Sequence, residues 1–199
     1  MNLRTRQHAD RRVRKTQNAL YLALAELMRD KPISAITVSE LAEKADIHRA
    51  TFYSHYTDID ELYEQIQENT LTELGEIFEP DPLHGKNMDS NEIFGALIGF
   101  VQNNKEILRM FLVESTARDF YEQLGYIVEK MYLDIFWEEA KTLSTHADVD
   151  MLAKYHIQGC LAVISAWARD DYVMPTSEVV ATLAQVDAHF DRLMFSLFT

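Results

Sequence analysis

Apolar residues recur along most of this chain at intervals of three and four, the spacing of one face of an α-helix. Val13, Leu20, Leu24 and Leu27 mark a first helix over about residues 10–29, with Ala19 and Ala23 small enough for close packing. Lys31-Pro32 ends it, because the residue before a proline is pushed out of helical geometry. The next apolar set, Val38, Leu41, Ala42 and Ala45, belongs to a short helix. Thr37, with Glu40 three residues on, forms a capping box ahead of it, in which each side chain satisfies a free backbone donor. Asp46 and Ile47 interrupt the period, and a second short helix starts near His48. Phe52 and Tyr56 fall on its inner side, leaving Arg49, Ala50, Tyr53 and His55 outward. A capped short helix, a tight turn and a second short helix with polar and basic outward positions form the pattern of a DNA-binding helix-turn-helix.

A longer helix follows over about 58–78, capped by Asp58 and striped with Ile59, Leu62, Tyr63, Ile66, Leu74 and Ile77. Glu79 to Ser90 holds two of the four prolines and reads as a loop. Beyond it, helices are expected at about 90–103, 104–113, 116–144, 148–170 and 176–197. Residues 120–137 are apolar almost all round, as in a helix at the centre of a bundle. The pattern therefore predicts an all-α fold of about nine helices, with an N-terminal helix-turn-helix domain over residues 1–57 and a C-terminal helical domain over 58–199. In the last two helices, Gly159 and Val163 lie on one stripe, and Val179, Leu183, Val186, Phe190 and Leu193 step by three and four along the other. That spacing is close to a coiled-coil seam and marks these residues as a candidate homodimer interface.

Composition changes this picture mainly through charge. The net charge of −13 argues against a nucleic-acid partner until it is divided along the chain. Residues 1–56 carry ten Lys or Arg against six Asp or Glu, a net of +4, whereas residues 57–199 carry a net of −17. A basic head on an acidic body lets the head alone meet phosphate. Arg4, Arg6, Arg11, Arg12, Arg14 and Lys15 are crowded into the first fifteen residues, read as an arm leading into the first helix, and Arg12 and Arg14 are candidate phosphate contacts.

Cys160 is the only cysteine, which excludes an internal disulfide and a Cys-based zinc site and fits a reducing cytoplasm. The N-terminus lacks the apolar core of a secretory signal, and the apolar stretch Cys160 to Ala168, broken only by Ser165, is nine residues. Roughly 20 are needed to span a bilayer, so a cytoplasmic protein with no membrane contact is expected. There is no His-Glu-x-x-His, no Gly-x-Ser-x-Gly and no phosphate-cradling glycine loop, and the seven histidines are scattered. No catalytic residue, cofactor or metal is assigned.

The first 62 or so residues resemble the N-terminal domain of the tetracycline-repressor (TetR) family of bacterial transcription regulators. The carriers are the Ala23/Ala25-containing first helix, Thr37-Val38-Ser39-Glu40-Leu41-Ala42, Arg49-Ala50-Thr51-Phe52-Tyr53-Ser54-His55-Tyr56, and Leu62. Gly159 and Trp167, followed by Met174-Pro175-Thr176, further resemble a subgroup that includes the dihydroxyacetone-operon activator. The resemblance implies a homodimer that pairs through its last two helices and reads a palindromic operator in double-stranded DNA. It assigns the recognition helix to His48 through His55. Arg49 then suits guanine O6 and N7, and Ala50 and Thr51 suit a thymine methyl or the backbone. Tyr53 and His55 suit phosphates, with Thr37 and Ser39 adding contacts, while His48 is open between helix cap and DNA contact.

Two positions depart from the family pattern. Asp46 stands where the turn commonly has glycine, and aspartate tolerates the left-handed conformation. Ile59 stands where a phosphate-contacting lysine is usual, so that contact passes to helix N-terminal amides or to the arginine arm. In the body, Phe94, Phe111, Phe120, Met131, Phe136, His156 and Trp167 are candidate lining for a small apolar or aromatic effector, although residues at such spacing also fill cores. The implied function is a repressor released by that effector. The alternative is a regulator controlled by a protein partner.

Overall fold

A computed structural model of the chain describes residues 3–78, 90–112, 120–129 and 146–196. Among them are nine α-helices, one short 3-10 turn and no strand, an all-α architecture. They are α1 (Leu3–Met28), α2 (Val38–Lys44), α3 (Arg49–Tyr53), α4 (Ile59–Phe78), α5 (Ser90–Asn103), α6 (Lys105–Leu112), α7 (120–129), α8 (His146–Arg169) and α9 (Thr176–Ser196). The chain divides into two compact units, Met1–Asn69 and Thr70–Thr199, so the division falls within α4. Most of the loop expected at 79–90, and the buried helix expected at about 116–144 apart from 120–129, lie outside the described residues.

The first helix corrects one expectation. It begins at Leu3 rather than near Asp10, so Arg4 and Arg6 sit on helical backbone and not on an arm. No glycine or proline occurs in this stretch, and Leu, Arg, Gln and Ala are strong helix formers. The density of charge hid a helix that propensity favours.

In the head, Leu20 and Leu24 of α1, Leu41 of α2, Phe52 of α3 and Leu62 of α4 are fully buried. Burying each such side chain stabilises by roughly 1.5–3 kcal/mol. Polar contacts tie the same helices together: Asn69 Nδ2 donates to the Tyr21 hydroxyl at 2.9 Å, and Gln17 Nε2 to the Tyr56 hydroxyl at 3.5 Å.

The second unit packs α5 on α9, α6 on α8 and α8 on α9. Phe111 and Phe120 stack at 4.5 Å in its core. The turn from α8 to α9 holds two consecutive left-handed residues, Asp171 (φ 54°) and Tyr172 (φ 59°). Each costs on the order of 1–2 kcal/mol, so the corner must be held from several sides. Arg109 bonds the Ala168 carbonyl (3.2 Å) and the Asp171 carboxylate (3.0 Å), the Tyr172 hydroxyl donates to the Lys105 carbonyl (3.0 Å), and Trp167 Nε1 donates to the Met174 carbonyl (2.9 Å). The Tyr172 ring also meets Trp167 edge-on, and burial pushes its pKa up to about 12.

Candidate functional site

The helix-turn-helix is built by local chemistry. The Thr37 hydroxyl accepts from Glu40 N (3.3 Å), and Glu40 Oε2 accepts from Thr37 N (3.1 Å), completing the capping box. Lys31 Nζ reaches Glu40 Oε1 at 2.6 Å, and this contact, followed by the bonds from Thr37, holds the Glu40 carboxyl below its usual range. Asp46 takes the left-handed conformation (φ 52°) that lets the chain reverse before α3. His48 stands at the N-cap of α3 in extended geometry, and its side chain makes no capping hydrogen bond.

Phe52 is fully buried and Tyr56 nearly so, which turns the opposite side of α3 to solvent. Arg49, Ala50 and Tyr53 are exposed, Tyr53 by 52% even with its ring edge-on to Phe52. Thr51 and His55 are half-buried, and Ser39 of α2 is exposed. Thr37 is exposed too, but its hydroxyl is engaged with Glu40, so a bond to phosphate competes with the cap.

Of the basic residues, Lys31 pairs with Glu40 and Lys44 with Glu26. Arg14, Lys15 and Arg49 are exposed and have no ion-pair partner among the described residues. Arg12 lies on α1, and its side chain is outside the described residues.

The start of α4 differs from the resembled family in kind. Ile59 is only 8% exposed and belongs to the core of the head. Asp58 Oδ1 accepts from Glu61 N at 2.8 Å, and Glu61 Oε2 accepts from Thr57 N at 2.6 Å and Thr57 Oγ1 at 2.7 Å. These bonds, the one from the Thr57 backbone foremost, hold the Glu61 carboxyl below its usual range. Asp58, Asp60 and Glu61 are all exposed here. Carboxylates already complement the helix dipole, so a phosphate at this end meets repulsion and an occupied amide. Of the amides at this end, that of Glu61 is thus already engaged by Asp58.

In the body, Phe94, Phe111, Phe120, His156 and Trp167 are all buried. They pack on the chain itself: Phe111 on Phe120, the His156 ring stacked on Phe190 at 4.2 Å, Trp167 on Tyr172. Met131 and Phe136 lie outside the described residues. His156 Nε2 meets Asp187 Oδ1 at 2.6 Å and lies 3.8 Å from Cys160 Sγ, joining α8 to α9. Burial pulls the imidazole pKa down, but the bonds with Asp187 and Cys160 and their charges outweigh it and raise the pKa to about 9. No group of three or more His, Cys, Asp or Glu able to hold a metal occurs among the described residues.

The stripe marked for dimerisation divides in two. Val179, Leu183 and Phe190 face inward and are buried within the chain. Gly159, Val163 (43% exposed), Val186 (53%) and Leu193 (48%) face outward. Ala162, small like Gly159 and expected on this face, is exposed too, and the structure adds Met151, Tyr155 and Ala166 to the outward face of α8, which periodicity alone did not single out.

Two family descriptions match the chain: "Bacterial regulatory proteins, tetR family" over residues 20–66 and "Transcriptional regulator C-terminal region", the TetR_C_8 family, over residues 89–186. An uncharacterized HTH-type transcriptional regulator, YxbF of Bacillus subtilis (strain 168), is 36% identical over 66 residues, 33% of this chain and 17% of that protein. The HTH-type dhaKLM operon transcriptional activator DhaS of Lactococcus lactis subsp. lactis (strain IL1403) is 30% identical over 108 residues, 50% of this chain and 56% of that protein. The matches therefore span well under two thirds of either relative's length. Among solved structures, the dihydroxyacetone kinase operon activator DhaS superposes with TM-score 0.53 at 17% identity, covering 92% of this chain and 95% of that one. A TetR-family regulator from Syntrophomonas wolfei reaches 0.67 at 9% identity, covering 87% and 93%. At such identities the likeness carries the fold alone.

Proposed function

The chain belongs to the TetR family of bacterial DNA-binding transcriptional regulators, and on that premise we propose that it is a repressor that binds a palindromic operator as a homodimer and is released by an effector held in its C-terminal domain. It is a regulator and not an enzyme. The observation that carries the reading is the outward side of α3, where Arg49 and Tyr53 stand exposed, backed by buried Phe52 and by a capped α2. An arginine in that place suits the two acceptors of a guanine, and Tyr53, His55, Ser39, Arg14 and Lys15 suit the phosphates that set register. The outward face of α8 and α9 supports the pairing of two copies, which a palindromic site requires.

Gel-shift titration of the protein on a selected genomic duplex and on a scrambled one tests this. Arg49→Ala should weaken specific binding by roughly 1–3 kcal/mol while nearly sparing the scrambled duplex. Equal losses on both duplexes would remove the base-reading role.

A second reading, control by a protein partner with activation as the output, is favoured by one observation. The candidate effector-lining residues Phe94, Phe111, Phe120, His156 and Trp167 are filled in against their neighbours. A relative named as an operon activator points the same way. Pull-down from the source lysate, set beside compound screening by thermal shift, separates the two.

A further inference from the structure

Asn91, Gly95, Ile98, Gly99 and Gln102 form one stripe on α5, which with Thr176, Ser177 and Val180 of α9 walls a groove of about 420 Å³. The stripe runs roughly 16 Å along the helix. Ile98 is buried beneath it, and a Cβ added at Gly95 or Gly99 meets no atom within 4 Å, so both glycines turn bare backbone to open space. Gln102, Asn103, Thr176 and Ser177 also line the groove, and their side chains make no hydrogen bond among the described residues.

The lining is therefore an apolar strip beside four polar side chains, Gln102, Asn103, Thr176 and Ser177, with no hydrogen bond among the described residues. No ionisable side chain lines it. An anion would find no charged side chain there, only the partial charge at the start of α9, and residues 57–199 carry a net charge of −17. The volume falls within the roughly 300–1,000 Å³ typical of ligand sites. The α9 wall follows directly on the corner held by Trp167, Tyr172 and Arg109, so it is set before anything binds. Val180 and Ala181 lie roughly 120–140° around α9 from Val186 and Leu193. Pairing through the latter leaves the groove open.

We propose that this groove binds an elongated, uncharged small molecule with a hydroxyl- or amide-bearing end and an alkyl portion. The amides of Gln102 and Asn103 take the polar end, and Val180, Ala181 and the glycine backbone line the alkyl part. That occupancy alters DNA affinity rests on the regulator reading above; the binding itself does not.

Amide NMR titration of the full chain with 1,2-octanediol, with octanoate as the charged arm, tests it. The diol should saturably shift the side-chain amides of Gln102 and Asn103 and the backbone amides of Gly95 and Gly99. Octanoate should bind at least tenfold more weakly. Gly99→Leu fills the groove and favours the helix, so it should abolish the shifts while keeping or raising the melting temperature; Gln102→Ala should weaken diol binding without filling anything. Absence of saturable shifts, shifts confined elsewhere, equal octanoate binding, or no effect of both variants each overturns the site. Diol binding that leaves operator affinity unchanged keeps the site and removes only its role in control.

Discussion

The two units of this protein turn their polar groups in opposite directions. The head holds its apolar side chains inside and sends Arg49, Tyr53, Arg14 and Lys15 outward, the three cations with no ion-pair partner among the described residues. The body takes polar groups inside and pairs them: His156 with Asp187, the Tyr121 hydroxyl with the Leu112 carbonyl and Ser165, Trp167 with the Met174 carbonyl. Its outward face on α8 and α9 is left apolar, with Tyr155, Val163, Val186 and Leu193 exposed. A polyanion is met by donors with nothing else to bond, whereas another protein surface is met by apolar area. The head's exposed cations thus fit the DNA binding of its family, and the body's exposed apolar side chains are what the proposed pairing would cover.

The comparison breaks most sharply at the buried pair of the body. Asp187→Ala leaves His156 without its counter-charge and should cost roughly 3–5 kcal/mol in denaturant unfolding of the body. The double change His156→Phe/Asp187→Leu, which keeps the stack on Phe190, should recover most of that loss. A double variant as unstable as the single one would mean that shape rather than charge balance matters there.

Next comes the outward apolar face. Val163→Asp with Val186→Asp should raise the dimer dissociation constant by about a hundredfold, some 3 kcal/mol, in sedimentation equilibrium. An unchanged dimer would move the interface elsewhere.

A smaller effect follows from acidity. Because the folded-state pKa of His156 is raised from 6.5 to about 9, its contribution to stability is full below about pH 6.5 and is lost as pH rises through 9. The melting temperature should fall between pH 7 and 10, and fall less in the His156→Phe/Asp187→Leu protein. Parallel decline in both would assign the effect to other groups.

The head is expected to respond least in stability. Thr37→Ala removes one cap and should cost about 1 kcal/mol. A far larger loss would show that the capping box holds more than α2.

How much of this was legible depended on the range of the interaction. The capping box of Thr37 and Glu40, the reversal at Asp46, the inward turn of Phe52 and Tyr56 and the cap at Asp58 all arise within a few residues, so spacing and side-chain chemistry determined them. Ile59 was visible as a departure, but its burial and the carboxylate bonds at the start of α4 emerged only in three dimensions. The start of α1 was misplaced because clustered arginines suggest an arm, while backbone propensity runs on to Leu3.

In the last two helices, a period of three and four established that α9 has an apolar side but not which neighbour that side meets. Packing against the chain's own helices took Val179, Leu183 and Phe190, and left Val186 and Leu193 outside. The described aromatic positions picked for an effector, Phe94, Phe111, Phe120 and Trp167, are buried for the same reason: a large apolar side chain announces burial, not a void. The α5–α9 groove had no sequence signal at all, since glycines and amides scattered over 91–103 and hydroxyls at 176 and 177 converge only when two distant helices pack. Sequence by itself determined the helices, the DNA-reading turn and the division of charge, because these follow from neighbours along the chain. Tertiary structure decided which faces remain free, because that depends on what each helix has already covered.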